Sequence, residues 1–437
     1  MSEVAARRIA DRLRAAGFQA LYAGGAVRDR LLGRAAQDFD VATDASPDQV
    51  MALFPRHSAV GAQFGVVLAH EPEASIEVAT FRTEASYHDG RHPEGVRYAT
   101  TAREDVLRRD FTINGLLLDP ATGAILDYVG GRADLDAAII RAIGEPERRF
   151  QEDRLRMLRG VRFAARLGFT IEPATLAAIR QYAGEIGQIS AERIRDEILK
   201  MLTEGHARRA FELLDATGLL VHILPEVAAM HGVEQPPQFH PEGDVWIHTL
   251  LLLEALPHPV SPALALGALL HDVGKPKTFR RAPDRIRFDR HASVGAAMAA
   301  AIGQRLRLSK ADRDEVVALV AEHMQWIELP RMRESTRKRF LRRPALHDHL
   351  TLLRLDCSAS HGDLSLYNLA RQQLAALKPD ELRPPRLLTG ADLIAMGYPP
   401  GPRFKEILDT VEDAQLEGVL ADPAAARAFV SDHFPAP

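Results

Sequence analysis

The 437-residue sequence contains a single cysteine, Cys357. No intrachain disulfide framework and no thiolate-rich zinc site can be built from one thiol, so stability must come from packing and any metal must be held by histidines and carboxylates. That usage fits a reducing compartment. A long apolar run is also missing: the best stretch, Ala263 to Leu270, is interrupted by Gly267 and flanked by polar groups, so no bilayer span is expected. The opening MSEVAARRIADRL spreads charges through an amphipathic pattern without a signal-peptide core, which predicts a cytoplasmic protein with no membrane contact. Nor is there an excess of one charge. Fifty-five Lys and Arg against 59 Asp and Glu leave −4, which gives no global attraction for nucleic acid. Arginines nevertheless gather between Arg141 and Arg195, where a local basic face can form.

What is present reads as globular: 46% hydrophobic and 26% charged residues, in a chain long enough for roughly three domains. The first part alternates helix and strand. An apolar stripe from Val4 to Leu13 is followed by a strand Phe18 to Tyr22, the Gly24-Gly25 turn and a helix Ala26 to Leu32. Strands are predicted at Phe39 to Ala42, Gly65 to Ala69 and Ile76 to Thr80, and a helix after Ser46-Pro47, where Ser caps and Pro takes the first turn. From Glu147 onward strand signals nearly vanish, and Leu155, Leu158, Ala165, Ile179, Ile194, Ile198, Phe211 and Leu214 recur at helical spacing. Gln235 to Gly243, rich in Pro, His and Gly, is the best candidate linker, and Lys378 to Arg386 is a second Pro cluster.

Asp38 and Asp40 sit two apart in a segment of strand character, so both side chains are expected on one sheet face. In Ile76-Glu77-Val78 the alternation points Glu77 away from its apolar neighbours and offers a third carboxylate on another strand. Three acids on adjacent strands suit a two-metal site, because Mg²⁺ takes oxygen ligands, activates a hydroxyl and neutralises a leaving phosphate. Upstream, Gly24 and Gly25 leave bare backbone between strand and helix where phosphate oxygens can approach, and Arg28 can add a fork of donors. Each signal alone is ordinary: a Gly-Gly turn, a solvated strand face.

In this order and spacing, however, Gly24-Gly25-Ala26-Val27-Arg28-Asp29, Asp38-Phe39-Asp40 and Glu77-Val78-Ala79-Thr80-Phe81-Arg82 resemble the polymerase-β-like nucleotidyltransferase superfamily. The specific resemblance is to the bacterial class II tRNA nucleotidyltransferase and poly(A) polymerase family. It implies that Asp38 and Asp40 bind two Mg²⁺ ions and that Glu77 assists deprotonation of the primer 3′-hydroxyl. Arg108-Arg109-Asp110-Phe111-Thr112-Ile113-Asn114-Gly115 resembles the family's second motif, which implies that Arg109, Asp110 and Asn114 hold the triphosphate and ribose of the incoming nucleotide. A helix-end salt bridge and an Asn cap are the plain alternatives. Asp127-Tyr128-Val129-Gly130-Gly131 is similar to the motif joining head to neck, and no chemistry is assigned to it.

Glu152-Asp153-Arg154-Leu155-Arg156 resembles the family's EDxxR motif. With Asp153 and Arg156 three apart on a predicted helix, both can face one base edge: Asp accepts from the exocyclic amine that cytosine and adenine share, and Arg donates to ring nitrogen or carbonyl acceptors. An i,i+3 salt bridge is the alternative. Arg159, Arg162 and Arg166 continue the same face and could contact acceptor-stem phosphates or form a solvated stripe. Ala191 to Glu197 resembles a neck-bracing motif, so Arg193 and Glu197 read as support. The loop Tyr87 to Pro93 resembles the flexible element that permits the switch to A addition.

A second chemistry lies in the middle of the chain. Leu269-Leu270-His271-Asp272-Val273-Gly274-Lys275-Pro276 resembles the HD phosphohydrolase signature, whose partners would be His248 before it and Asp356 after it. Two imidazoles and two carboxylates suit a divalent ion that activates water for phosphoester hydrolysis, and His291 and His323 could extend the site to a second ion. A degenerate, structural HD fold is the alternative. Leu388-Thr389-Gly390 and Gly397 to Pro402 resemble the family's C-terminal module near the tRNA elbow, or are helix punctuation.

The expectation is therefore an α+β fold with four segments. A nucleotidyltransferase head with a small mixed or antiparallel sheet spans residues 1–142, a helical, RNA-binding neck 143–234, a helical HD body 235–377 and a C-terminal tRNA-binding tail 378–437. The resemblance implies addition of C, C and A to the tRNA 3′ end from CTP and ATP, with no DNA or membrane partner. The rivals are an A-adding-only enzyme, a poly(A) polymerase, or an HD hydrolase with a passive RNA-binding head.

Overall fold

The computed structural model describes residues 2–36, 38–59, 65–84 and 96–435. The chain divides into two compact units: Met1–Ala229 with Pro257–Pro259 and Arg305–Arg307, and Met230–Leu256 with Val260–Gln304 and Leu308–Pro437.

Unit 1 is built on a seven-stranded sheet. Its strands are β1 (Ala20–Ala23), β2 (Asp40–Thr43), β3 (His57–Ser58), β4 (Val66–His70), β5 (Ser75–Thr80), and beyond the separate hairpin β6 (Arg82–Glu84) and β7 (Val96–Tyr98), β8 (Leu117–Leu118) and β9 (Ile125–Leu126). Their order is β3-β4-β5-β2-β1-β8-β9. Only the central β2–β5 pairing is parallel; the rest are antiparallel, so the small mixed sheet expected of the α+β class is what forms. The first helix, Ser2–Ala15, buries Ala5, Ala6, Ile9, Ala10 and Leu13, the stripe its periodicity demands. Ser46 caps the helix Pro47–Leu53 in a full capping box with Gln49. Leu21, Ala23, Ala42, Phe81, Val106 and Leu117 close one core cluster.

The neck segment contains the helices Leu155–Leu167, Pro173–Tyr182, Ala191–Thr203 and Ala207–Ala216. Strand structure does not end at residue 147: Thr170–Ile171 pairs in parallel with Ile139–Ile140. The helix predicted across Glu152 to Arg159 is also interrupted. Pro146–Glu152 ends at Asp153, whose φ of −149° and ψ of 106° are extended, and a new helix starts at Leu155. Asp153 and Arg156 are therefore not stacked on one continuous helix.

Unit 2 is helical except for one short hairpin among its described residues. Pro262–Leu270 is buried from Ala263 through Leu270, which explains an apolar run too short for a membrane: a helix apolar all round belongs inside a core. No described helix is long and apolar enough to cross a membrane. Residues 235–243, read as a linker, instead fold back within unit 2, with the Gln235 amide donating to the Gly243 carbonyl at 2.8 Å and Glu234 bridging Asp244. The Pro cluster after Lys378 does not separate a further unit; Leu377 and Leu382 pack against the Trp326 cluster. Behind it Leu388, Leu393, Ile407, Val411 and Val430 form a core of their own. Thr389 caps Gly390–Ala395 and Gly401 precedes Pro402–Leu416, so these residues punctuate helices.

Candidate nucleotidyl-transfer and metal sites

Val41 is registered against Val78 in the parallel β2–β5 pair, so Asp40 and Glu77, one residue earlier on each strand, lie side by side on one sheet face. Asp38 is exposed and lies ahead of the first strand residue, rather than on the strand with Asp40 as the DxD spacing suggested. Its charge still reaches Asp40. Burial pushes the Asp40 carboxyl up to about 6, with Glu77 and Asp38 adding repulsion against the relief from Arg109. A buried carboxylate that also faces two like charges is short of positive charge, which is what a divalent cation supplies. Gly24, at φ 71°, leaves the carboxylate open: a Cβ there would stand 3.6 Å from Asp40 Oδ2 and 3.9 Å from Arg109 Nη1.

The second motif packs beside this acid cluster. Arg109 pairs with Asp105 at 2.8 Å and extends Nη1 toward the Asn114 carbonyl at 3.4 Å. Asn114 accepts from Arg28 Nη1 at 2.7 Å and donates to Asp110 at 3.1 Å, and Asp110 accepts from Arg159 Nε at 2.8 Å. Arg28, expected to add a fork of donors to phosphate, is buried with its guanidinium engaged by Asp29 and Asn114 and laid over the Phe163 ring. It therefore links helix to motif. The turn Asp127–Gly131 supports the same place: Asp127 accepts from the Val129, Gly131 and Arg132 amides, and a Cβ on Gly131 would fall 2.1 Å from the Thr112 carbonyl oxygen.

Asp153 and Arg156 face different partners. Asp153 is gripped by Arg193, while the buried Arg156 donates to Glu152 at 2.8 Å, to the Arg108 carbonyl at 3.0 Å and to the Arg149 carbonyl at 3.2 Å. The i,i+3 pair between them does not form. Of the three arginines read as RNA contacts, Arg162 is corrected: it is buried, bonds Glu197 at 2.6 Å and lies over Phe163, because its helix turns that face inward. Arg159 is engaged by Asp110, and Arg166 is the most open of the three, 3.8 Å from both Asp29 and Glu204. The loop Tyr87 to Pro93 lies outside the described residues.

In unit 2 all six expected groups converge. His248 Nε2 is 3.1 Å from Asp356 Oδ1 and 3.3 Å from His271 Nε2, and His271 Nε2 is 3.2 Å from Asp272 Oδ2. His291 and His323 meet at Nε2 atoms 3.2 Å apart, 3.5 Å and 3.8 Å from Asp272 Oδ1. The opposite ring nitrogens fix the tautomers: Nδ1 of His271, His291 and His323 donate to the Ala268, Phe288 and Val320 carbonyls. Each Nε2 is then a lone pair. Facing lone pairs with carboxylates between them form a donor set that fits divalent ions.

Electrostatics follow from depth and neighbours. Burial works against charge on His248, but Asp356 and Glu242 outweigh it and hold the imidazole up at about 9, whereas burial and His271 bring His323 down to about 4. Gly274 explains the tightness: a Cβ on it would lie 2.2 Å from the His291 carbonyl oxygen, so only glycine lets the His271-Asp272 turn press against the helix carrying His291. The cluster opens into a cavity of about 630 Å³ whose wall includes Phe239, His240, Phe288 and Ile327. Three groups were not singled out from sequence. Lys275 Nζ sits 2.7 Å from Asp272 and 2.6 Å from Gln235, and Glu242 and His240 border His248. Lys275 belongs to the Leu269–Pro276 signature, and the other signal is the His240-Pro241-Glu242 triplet just before the helix bearing His248.

Three family models match in succession: the poly A polymerase head domain over residues 20–141, a probable RNA- and SrmB-binding site of polymerase A over 168–230, and the HD domain over 244–349. The CCA-adding enzyme of Geobacillus stearothermophilus is 45% identical over 215 residues, 49% of this chain and 53% of that one. That of Bacillus subtilis (strain 168) is 46% identical over 204 residues, 47% and 51% of the two chains. These alignments span about half the length of the curated relatives. Across its whole length the chain is similar to the crystal structure of the Bacillus stearothermophilus CCA-adding enzyme in complex with CTP, with a TM-score of 0.74 at 30% identity over 97% of this chain and 95% of that one.

Proposed function

The chain belongs to the family of CCA-adding enzymes, and from that premise we propose that it extends the tRNA 3′ end with C, C and A from CTP and ATP, releasing pyrophosphate at each step. The observation that carries this reading is the placement of Asp40 and Glu77 on neighbouring strands within electrostatic reach of Asp38 and beneath the open backbone of Gly24. Asp38 and Asp40 would hold two Mg²⁺ ions, which when bound supply charge neutralisation and a more acidic 3′-hydroxyl. Glu77 takes the hydroxyl proton as the oxygen attacks the α-phosphorus. Arg109, beside Asp40, receives phosphate charge, and Asp110 and Asn114 order the ribose side. Catalysis here is mainly positioning and electrostatics.

Asp153 and Arg156 would choose the base, Asp153 by accepting from the exocyclic amine and Arg156 by donating to its neighbour. The head would span residues 1–142, the neck 143–234, the HD body 235–377 and the tail 378–437, acting in the cytoplasm. His248, His271, Asp272 and Asp356, with His291 and His323, would hold divalent ions for phosphoester hydrolysis.

The test uses tRNA lacking its last three nucleotides, with labelled CTP and ATP supplied separately and together. Addition of two C and then A supports the reading. A added only to a CC end identifies an A-adding specialist, long A tracts a poly(A) polymerase, and no addition a passive head. Asp40→Ala should abolish incorporation of both nucleotides; retained incorporation would remove Asp40 from the metal site.

A further inference from the structure

The four imidazoles of the HD centre are not held alike. His271, His291 and His323 are each anchored through Nδ1 by a backbone carbonyl of their own helix or turn, three residues earlier in the chain. His248 is instead faced by a side chain from elsewhere: its Nδ1 stands 2.6 Å from Oε1 of Glu242 as a charge pair without hydrogen-bond alignment, and the same oxygen is hydrogen-bonded to His240 Nδ1 at 2.9 Å. Glu242 is only 7% exposed at its side chain and His248 is fully buried, so this carboxylate meets the imidazole away from bulk water. It comes from the 235–243 segment, which also delivers Gln235 to Lys275 beside Asp272.

We propose that Glu242 is a positioning residue of the HD metal centre, its carboxylate set against the Nδ1 side of His248 and raising the basicity of the Nε2 atom turned toward Asp272 and Asp356. The proposal rests on the reading of His248, His271, Asp272 and Asp356 as holders of a divalent ion. A carbonyl fixes a tautomer, whereas a carboxylate beside the ring places negative charge on it and strengthens its opposite nitrogen as a ligand; such partners commonly govern ~10–100-fold in metal affinity. The 235–243 loop is on this view part of the metal centre, and its Pro236 and Phe239 form cavity wall as a consequence of bringing Glu242 into place.

The experiment titrates Mn²⁺ alone into the full chain by calorimetry, with Asp272→Ala defining which binding step belongs to the HD centre. Glu242→Ala should weaken that step ~10–100-fold. Glu242→Gln should weaken it to a similar extent, because the isosteric amide keeps the packing but carries no charge. Circular dichroism and melting of the metal-free variants report folding, and where Glu242→Ala does not fold, Glu242→Gln alone decides. An Mn²⁺ step lost in Asp272→Ala but kept at wild-type affinity in the folded Glu242 variants overturns the proposal. Wild-type and Asp272→Ala titrations that coincide overturn instead the metal reading on which it stands.

Discussion

Arg193 holds Asp153 through two bonds, Nη2 to Oδ2 at 2.7 Å and Nη1 to Oδ1 at 3.2 Å, across 40 residues of chain. Asp153 occupies the break between two helices, its extended backbone still bonded to the Arg149 carbonyl, and its carboxylate is directed by the Arg193 guanidinium together with the Leu155 amide, which donates to Oδ1 at 3.0 Å. If that carboxylate reads the exocyclic amine of the incoming base, Arg193→Ala should impair selection more than binding. A lost charge-assisted bond of about 1.5–3 kcal/mol corresponds to a ~10–100-fold lower kcat/KM for CTP, with relatively more UTP incorporated. Single-nucleotide incorporation with each of the four triphosphates measures this; unchanged selectivity would remove Arg193 from the base-reading apparatus.

Arg162 and Glu197 form a buried pair, with side chains 7% and 4% exposed. Removing one member of such a pair strands the other charge, at a cost of about 3–5 kcal/mol, whereas replacing both by apolar side chains of similar volume is close to neutral. Arg162→Ala should therefore lower the urea midpoint strongly, and Arg162→Met combined with Glu197→Leu should recover most of it. A residue that served mainly to touch tRNA would show the reverse: weaker tRNA binding at an unaltered midpoint.

The difference between what was legible in the sequence and what was not follows from how information is carried. Asp40 and Glu77 were legible because strand alternation assigns a side chain to a face, and register then brings neighbouring strands level. The histidines and aspartates of unit 2 were legible as a set because their chemistry is rare and the set was nearly complete. Arg28 and Arg162 were misjudged because an arginine's position on a helix face does not say whether the neighbouring surface is solvent or protein; Asn114 and Glu197, which capture them, are 86 and 35 residues away. Glu242 was hidden because Pro and Gly around it resemble punctuation, although the loop they form is closed by the Gln235–Gly243 hydrogen bond. The break at Asp153 had no Gly or Pro to announce it.

Gly274 offers a test of backbone contact at the metal centre. A methyl group there meets the His291 carbonyl oxygen at 2.2 Å and the Gly295 nitrogen at 2.7 Å, and neither is the end of a flexible side chain. Gly274→Ala should destabilise unit 2 by about 3 kcal/mol, the upper end of ordinary overpacking, and weaken divalent-ion binding by moving His271 and Asp272 away from His291. Gly187 has nothing within 4 Å of the corresponding point and serves as the control, since Gly187→Ala should change stability little. Thermal melting with and without Mn²⁺ compares them; equal behaviour of the two variants would show that the close approach at Gly274 relaxes freely.

His349 gives unit 2 a defined response to acid. It is 3% exposed, and burial together with the nearby Arg343 guanidinium lowers it from 6.5 to about 4, while Glu322 is engaged by Arg343 at 2.6 Å and stands 3.8 Å from the imidazole. The unfolded chain thus takes up this proton at higher pH than the folded one. Stability is full above 6.5 and falls as pH drops toward about 4, the stretch in which only the unfolded state is protonated at this site. The whole interval corresponds to about 3 kcal/mol at this one group. Nδ1 has no hydrogen-bond partner among the described residues, so His349→Leu removes the titration without leaving a buried polar partner unsatisfied on that side. Urea unfolding of unit 2 between pH 7 and pH 4 should show a shallower decline in the variant than in the wild type. Parallel declines would place the acid sensitivity elsewhere, in the histidines of the metal centre.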